Sequence, residues 1–245
     1  MRTIVAALLA VFLAQRPLVS GELGFRLMVS GKLAEKLEAD TTLSLWCPCN
    51  APSAWISVGL TELPVDLPFE RFHKQTWHVA FYSKKSGPYF SVTLNHDLFD
   101  RARTVNILLD SPEPRLHADF GWSGGLFLFY SPNITKRMFY RDLPRWDATK
   151  GRIVQSPAPV VLVTRLRDGV TVYSGEMGDS CRASRWFIQP GALASKLEDG
   201  EAYRASVRYD SGGLFPPTNT TCDFTYRASY RDPSEGGSGG EEEQN

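Results

Sequence analysis

One serine in this sequence stands in a pattern used for nucleophilic catalysis. Ser123 lies in Gly-Trp-Ser-Gly-Gly, which fits the G-x-S-x-G turn that holds the nucleophile of many serine hydrolases. That turn needs a strand before the serine, a helix after it, and a histidine later in the chain to accept its proton. Here the strand-like run LFLFY follows, and all four histidines precede Ser123. The pattern therefore favours a bulge or a tight corner over a hydrolase.

The histidines could also bind a metal ion; they are His73, His78, His96 and His117. His117 and Asp119 stand two residues apart, so on a strand both side chains would point to the same face. The sequence supplies no third and fourth ligand at metal-site spacing, and ordinary surface or core histidines are favoured. Carboxylate pairs for glycoside hydrolysis remain open, because the fold sets their separation. We expect no metal, no cofactor and no enzymatic activity.

The cysteines are even in number and could form covalent cross-links: Cys47, Cys49, Cys181 and Cys222. Cys47 and Cys49 flank a proline, and a bridge between residues this close would be strained. We expect each of these two to pair with Cys181 or Cys222, in either combination, which would tie the start of the fold to its end. A metal site is the alternative, although Cys-x-Cys without clustered histidines lacks the usual knuckle spacing.

Two sequons are present, Asn133-Ile134-Thr135 and Asn219-Thr220-Thr221. In a secreted chain both asparagines are expected to carry glycans, which would place these segments on the surface and outside any protein interface. Because sequons also arise by chance, unmodified asparagines are the alternative.

Aromatic side chains are abundant, with six Trp, nine Tyr and fourteen Phe. Those in alternating strand-like runs are expected in the core. Four others stand in stretches rich in Gly, Pro or charge, where loops are expected: Trp122, Tyr140, Trp146 and Phe215. Large rings on loops commonly anchor protein interfaces. We therefore take these four as candidate ligand-binding residues, with packing of the loops against the core as the alternative.

Runs rich in Val, Thr, Phe, Tyr and Trp recur between turn residues. This pattern predicts an all-β fold, a two-sheet β-sandwich with short helices in its connections. The predicted strands are Gly24–Ser30, Thr41–Cys47, Ala54–Leu60, Thr76–Tyr82, Tyr89–Leu94, Thr104–Leu109, Gly125–Tyr130, Val160–Leu166, Val170–Tyr173, Arg185–Ile188, Ala202–Tyr209 and Cys222–Ala228. The predicted helices are Lys32–Glu38, Asp97–Ala102 and Ala192–Glu198.

The two ends of the chain differ in composition from the rest. Arg2, an apolar run from Ile4 to Ala14 and a small residue at Gly21 predict a secretory signal peptide over residues 1–21. Residues 22–231 are predicted to form one binding domain, and residues 232–245 a disordered tail of Gly, Ser and Glu. No later run has the roughly 18 to 20 apolar residues of a membrane span. We expect a secreted, extracellular protein.

The charge balance argues against two classes of partner. Removal of residues 1–21 leaves 25 basic and 27 acidic residues, a net charge of −2. The last eleven residues hold four of the acids, so the remaining domain is near +2. Neither value supports binding to nucleic acid or to an anionic membrane.

Two stretches resemble a known family. Gly24–Val29 (GFRLMV), soon followed by Cys47, is similar to the first strand of the secreted poxvirus immune-evasion domain. That β-sandwich family contains viral chemokine-binding proteins and the viral inhibitor of GM-CSF and interleukin-2. Val172–Cys181 (VYSGEMGDSC), followed by Leu197–Gly200 (LEDG), is similar to its late strand, which has Asp two residues before a cysteine. Taken as Gly24–Cys47 and Val172–Gly200, the two stretches span about a fifth of the chain.

The resemblance implies a sandwich that captures a host cytokine or chemokine and keeps it from its receptor. One feature departs from the family: the dense acidic loop with which its chemokine binders attract basic chemokines has no counterpart. Only Glu62, Asp66 and Glu70 lie between Cys49 and Trp77. A roughly neutral, aromatic interface is therefore the expectation. A carbohydrate-binding β-sandwich and a secreted hydrolase are the alternative functions, and a homodimer is an open alternative for assembly.

Overall fold

The structure is a computed structural model that describes residues 24–47, 55–68, 75–85, 87–99, 103–120, 125–180 and 185–228. Strands dominate this part of the chain. They are β1 Gly24–Ser30, β2 Thr41–Trp46, β3 Ile56–Gly59, β4 Val65–Pro68, β5 Trp77–Ser83, β6 Gly87–Leu94, β7 Thr104–Leu108, β8 Glu113–Phe120, β9 Leu126–Thr135, β10 Met138–Asp142, β11 Pro144–Asp147, β12 Arg152–Gln155, β13 Val160–Arg165, β14 Thr171–Glu176, β15 Gly178–Ser180, β16 Arg185–Ile188, β17 Ala202–Tyr209 and β18 Thr218–Thr225.

In the described part of the chain, helical structure is confined to short connections, as predicted. A five-residue α-helix, Pro190–Ala194, begins with proline at a position that needs no backbone donor. Three 3₁₀ turns cover Ala34–Lys36, Leu60–Glu62 and His96–Leu98. None of these described helices is long and apolar enough to cross a lipid bilayer.

The largest sheet contains nine strands in the order β15-β16-β9-β10-β6-β5-β2-β3, with β8 on the other edge of β9. The central β9 is ten residues long, so three strands can pair with it. It pairs with β8 through Leu126–Asn133, with β16 through Leu128–Tyr130, and with β10 near its end.

The other strands form three smaller sheets. The four-stranded sheet has the order β14-β13-β17-β18 and is antiparallel throughout. In a three-stranded sheet, β1 lies between the antiparallel β4 and the parallel β7. β11 and β12 form a hairpin. β18 also contacts β8, so one edge of the four-stranded sheet lies beside one edge of the nine-stranded sheet.

A single hydrophobic cluster joins all four sheets. Alternate residues of β17 show how it is built: Tyr203, Ala205, Val207 and Tyr209 are buried, whereas Arg204 and Arg208 between them are exposed. This period of two is the expected consequence of the strand pleat. Buried tyrosines add links between sheets, since Tyr140 in β10 donates a hydrogen bond of 2.9 Å to the carbonyl of Asp110, just beyond β7.

The prediction of an all-β sandwich-type fold is confirmed. The twelve predicted strands overlap observed strands, and three of them, β1, β16 and β17, have the predicted bounds. The sequence patterns missed six short or polar strands: β4, β8, β10, β11, β12 and β15.

Candidate binding surface

Most of the exposed large apolar side chains in the described part of the chain lie on the hairpin of β13 and β14, and those of β13 are on one side of the four-stranded sheet. We call it the outer face; it is formed by the side chains of β13, β14, β17 and β18 that point away from the core. On β13, Val161 and Val163 are fully buried, whereas Val160 and Leu162 are 43% and 42% exposed. The side chains therefore alternate between the core and the outer face.

Exposed apolar side chains continue from β13 into the turn that joins it to β14. Leu166 is 43% exposed, and its N–H donates to the carbonyl of Ala202, so it extends the ladder by one residue. Val170, across the turn, is 49% exposed. Thus four of the six large apolar residues that are exposed in the described part of the chain lie on this one hairpin.

Two shallow grooves meet at the start of β13. A groove of about 550 Å³ is lined by Val160, Leu162, Arg208 and Asn219, among others. A second groove of about 310 Å³ shares Val160 and Arg208 with it and continues to Arg145 and Pro157. The outer face is therefore a shallow, open surface with apolar and basic groups side by side, which suits a macromolecular partner better than an enclosed small molecule.

Ion pairs fix the hairpin tip against the loop before β17. Arg167 pairs with Glu198 at 3.1 Å and with Glu201 at 2.7 Å, and within the tip Arg165 pairs with Asp168 at 2.9 Å. Hydrogen bonds from Arg165 lower the pKa of the Asp168 carboxyl. Exposed pairs contribute little stability individually, but linked pairs of this kind restrict the orientation of the turn.

β17 and β18 contribute polar groups to the same face. Arg204 donates two hydrogen bonds to Asp223, of 2.7 and 2.8 Å, in a bidentate arrangement, which lowers the pKa of that carboxyl. Ser206 and Thr221 lie opposite each other in the next row of the sheet. The exposed apolar residues of the outer face are thus confined to β13 and the turn after it, whereas β14, with the exposed Ser174 and Glu176, and β17 and β18 contribute polar residues.

Two of the four aromatic residues predicted to bind a ligand are buried, so the prediction is wrong for them. Tyr140 lies within β10 and is fully buried, and Phe215 is 4% exposed in its turn. Neither ring can contact a partner, because both pack in the core, with their centroids 6.5 Å apart. Trp146 in β11 is partly buried against the core, so only part of its ring reaches the surface. Trp122 lies outside the described residues.

Of the four cysteines, Cys49 and Cys181 lie outside the described residues. Cys47, at the end of β2, is buried, and Cys222 in β18 is partly exposed. The structure shows no bond between Cys47 and Cys222. The pairing of the four cysteines stays a prediction.

Both sequon asparagines lie in strands rather than in loops. Asn219 is exposed on the outer face, in β18 at the edge of its sheet. Asn133 in β9 is half-buried; its Oδ1 accepts a hydrogen bond of 2.8 Å from Ser131. It lines a groove of about 810 Å³ that also contains Thr220 and Thr221, so its amide has an open space beside it. The two sites therefore face the surface, and their glycosylation stays a prediction.

The described histidines do not assemble a catalytic or metal site. His78 is buried, with Nδ1 2.9 Å from Thr93 Oγ1, and its burial lowers its pKa to about 4. His117 stacks on Phe129, with ring centroids 5.2 Å apart. Within the described ranges, no three His, Cys, Asp or Glu residues lie close enough to hold a metal ion. Ser123 and His73 fall outside those ranges.

Another groove, of about 440 Å³, lies on the nine-stranded sheet near its β3 edge. It brings together Tyr82, Asp40 and Glu62. Asp40 accepts a hydrogen bond of 3.0 Å from Ser83, and Glu62 accepts one of 3.0 Å from the Gly59 N–H. This is the arrangement of an aromatic ring and carboxylates in a shallow groove that carbohydrate recognition would require.

Sequence reasoning missed the apolar residues of the outer face. The run Val160–Arg165 is apolar at four consecutive positions, which is typical of a strand covered on both sides. The turn after it, Arg-Leu-Arg-Asp-Gly, is strongly charged and was the available indication of an exposed hairpin.

No protein-family model matches the chain, and no curated protein shows significant similarity to it.

Proposed function

We propose that the protein is a secreted binding protein that sequesters a host cytokine or chemokine and blocks its engagement of a receptor, a role in viral immune evasion. The observation that supports this most strongly is the uncovered outer face. Val160 and Leu162 lie on β13, Leu166 begins the turn after it, and Val170 lies at the far end of that turn. Concentrated exposed apolar groups with a polar border are characteristic of protein interaction sites.

The charges of the outer face favour a partner with a nearly neutral docking surface. Arg204 and Arg208 on β17 are balanced by Asp223 on β18 and Glu176 on β14. A strongly basic chemokine would gain little electrostatic attraction from this balance, whereas a cytokine with an apolar patch would lose few charge interactions on docking. The resemblance to the poxvirus immune-evasion family supports the same class of ligand.

The test is surface plasmon resonance of the purified glycoprotein against a panel of cytokines and chemokines. The informative variant is Val160→Ser with Leu162→Ser, and the matched control is Met28→Ser. Met28 is 37% exposed on β1, in a different sheet, so the control removes an exposed apolar side chain elsewhere on the molecule. We expect saturable binding that the double variant weakens by roughly 30-fold or more, the size of an interface hot spot.

Equal loss in Val160→Ser/Leu162→Ser and in Met28→Ser would indicate general damage rather than a binding face. Absence of binding to every member of the panel would contradict the proposed function for those ligands. Circular dichroism of each variant shows whether its fold is retained.

The groove at Tyr82 supports a second candidate, a carbohydrate-binding protein. Its ring and two carboxylates could contact the apolar face and the hydroxyls of a sugar. A glycan array tests this candidate directly, with Tyr82→Ala as the variant. Binding that is lost in Tyr82→Ala and retained in Val160→Ser/Leu162→Ser would favour carbohydrate recognition over cytokine capture.

A further inference from the structure

One groove on the surface is lined by residues of both sequons. Its volume is about 810 Å³, and its lining includes Asn133 and Thr135 of the first sequon and Thr220 and Thr221 of the second. Asn219 instead lines the smaller groove at the start of β13. A glycan on Asn133 would therefore begin inside the larger groove, whereas a glycan on Asn219 would begin beside a different one.

A neighbouring side chain orients the amide of Asn133. Its Oδ1 accepts a hydrogen bond of 2.8 Å from the hydroxyl of Ser131, which lies two residues earlier on the same face of β9. An N-linked sugar is attached to the other amide atom, Nδ2. Among the described residues, none forms a hydrogen bond with Nδ2. The side chain is thus held at one polar atom and open to attachment at the other.

Two strand neighbours flank this amide inside the groove. Phe139 in β10 lies directly opposite Asn133 on one side, and Glu113 in β8 lies directly opposite it on the other. Both residues line the groove. Side chains directly opposite each other on antiparallel strands have Cβ atoms about 4.5 to 5.5 Å apart. The ring of Phe139 is therefore within reach of a sugar attached to Asn133.

The remaining lining has the mixed chemistry that a sugar requires. Arg115 and Lys136 bring hydrogen-bond donors to the groove, and Thr220 and Thr221 bring hydroxyl groups. A sugar ring has an apolar face of C–H groups, and its hydroxyl and N-acetyl groups form hydrogen bonds. An aromatic surface surrounded by a few polar groups, in a volume of this size, is typical of a ligand site.

The groove lies at a junction between two sheets. Within the described part of the chain, β8 pairs only with β9, and β18 pairs only with β17. β8 and β18 contact each other, but no ladder of hydrogen bonds joins these two edges. A group in the groove that contacts both edges would therefore stabilise the junction.

We propose that Asn133 carries an N-glycan whose first N-acetylglucosamine packs in this groove, with its apolar face on Phe139 and its polar groups directed to Arg115, Thr220 and Thr221. The sugar links the edges of the two sheets. Because it is attached inside the groove, its packing is an intramolecular event, and weak contacts suffice. The inference concerns the protein's own glycan and is independent of the proposed capture of a cytokine or chemokine.

The second sequon provides a comparison within the same chain. Asn219 is exposed in β18, and the residue opposite it in the neighbouring strand is Arg208 rather than an aromatic residue. A glycan on Asn219 is expected to extend into solvent. The two glycans should therefore differ in their accessibility to an enzyme that cleaves at the asparagine.

The experiment measures how fast peptide N-glycanase releases each glycan from the native protein made in glycosylating cells. The enzyme converts the asparagine to aspartate, so peptide mass spectrometry quantifies release at Asn133 and Asn219 separately. We expect native release at Asn133 to be slower by roughly 10-fold, the effect of one aromatic contact and one hydrogen bond. In the denatured protein, which gives the intrinsic preference of the enzyme, the two rates should be similar.

A substitution tests the role of the aromatic ring. Phe139→Ala should accelerate native release at Asn133 and leave release at Asn219 unchanged. Phe127→Ala is the matched control, because Phe127 is a partly buried ring on the same face of β9 that does not line the groove. Equal acceleration at Asn133 in both variants would indicate general loosening of the sheet and would overturn the assigned contact.

Hydrogen exchange of the wild-type protein tests the link between the sheets without any substitution. Trimming the glycans to their first sugar should leave the protection of β8 and β18 unchanged, and complete removal should reduce it. Unchanged protection after complete removal would overturn the link.

Two further outcomes would overturn the inference: an unmodified Asn133 in the wild-type protein, and equal native release rates at Asn133 and Asn219. Neither affects the proposed function, which the binding panel tests separately.

Discussion

At the scale of single residues, the surroundings of His78 shift its pKa strongly away from the usual value of a histidine. It is 2% exposed in β5, its Nδ1 lies 2.9 Å from Thr93 Oγ1, and its ring lies 4.7 Å from that of Trp46. Burial, followed by the positive charge of Arg141, lowers its pKa from 6.5 to about 4. The folded protein therefore keeps this ring neutral under conditions in which the unfolded chain binds a proton.

The predicted consequence is a loss of stability in mild acid. Well above pH 6.5 both states are neutral at His78, so this group adds no pH dependence there. As the pH falls from 6.5 towards 4, only the unfolded state takes up the proton, and the free energy of unfolding decreases. At about pH 5 the loss is about 2 kcal/mol. Urea unfolding at several pH values measures it; His78→Gln should flatten the dependence, and exposed His96→Gln should not.

The sequence shows which residues are aromatic, but it does not show whether their rings are buried or exposed. Tyr140 stands among charged neighbours, yet β10 is an interior strand between β6 and β9, so its ring is buried on pairing. Phe215 follows two glycines and a leucine, yet its N–H donates a hydrogen bond of 2.7 Å to Ser211 Oγ, and its ring is buried. Val160 and Leu162 resemble core residues and are exposed. In each case the tertiary surroundings of the side chain, and not its residue type, decide burial.

At the scale of elements, the turn between β17 and β18 depends on a glycine. Gly212 has φ +65°, and a side chain there would collide with the carbonyl oxygen of Trp146 in β11. The same turn accepts a hydrogen bond of 2.8 Å from the Trp146 N–H at the carbonyl of Ser211. The turn and the β11–β12 hairpin therefore fit together only if position 212 lacks a Cβ.

We predict that Gly212→Ala lowers the free energy of unfolding by about 2 to 4 kcal/mol, because steric contact adds to the cost of a left-handed backbone. Gly169→Ala is the matched control. Its φ is +72°, but its surroundings are open, so only the backbone cost of about 1 kcal/mol applies. Urea unfolding of both variants measures the difference. Equal losses would show that Trp146 does not constrain the turn.

The elements that the sequence predicted correctly are those with a clear period of two and a buried face. β17 alternates buried Tyr, Ala and Val with exposed Arg and half-buried Ser, and its bounds were predicted correctly. β8 has charged residues near both ends, and only Leu116 among its residues is buried, so its sequence carries little pattern. It forms because β9 offers it a long partner edge. Such strands are determined by pairing, which local sequence cannot reveal.

At the scale of the whole molecule, the described sheets behave as one unit because they share one core. The hydrophobic cluster contains Phe25 from β1, Val92 from β6, Ile153 from β12 and Val163 from β13, one from each sheet. The hydroxyl of Tyr209 in β17 also donates to the carbonyl of Pro144 in β11, which links two sheets. The four-stranded sheet that carries the outer face therefore has no separate core of its own.

We therefore predict that the protein unfolds in one cooperative thermal transition. Val92→Ala and Val163→Ala each remove two fully buried methyl groups from different sheets and should each cost about 2 kcal/mol. For a chain of this size, that shifts the single Tm by roughly 4 to 8 °C in either variant. Differential scanning calorimetry, with the calorimetric and van't Hoff enthalpies compared, tests this. If Val163→Ala instead split the transition in two, the outer face would belong to an independently folding unit, and its docking geometry could change without unfolding the remainder.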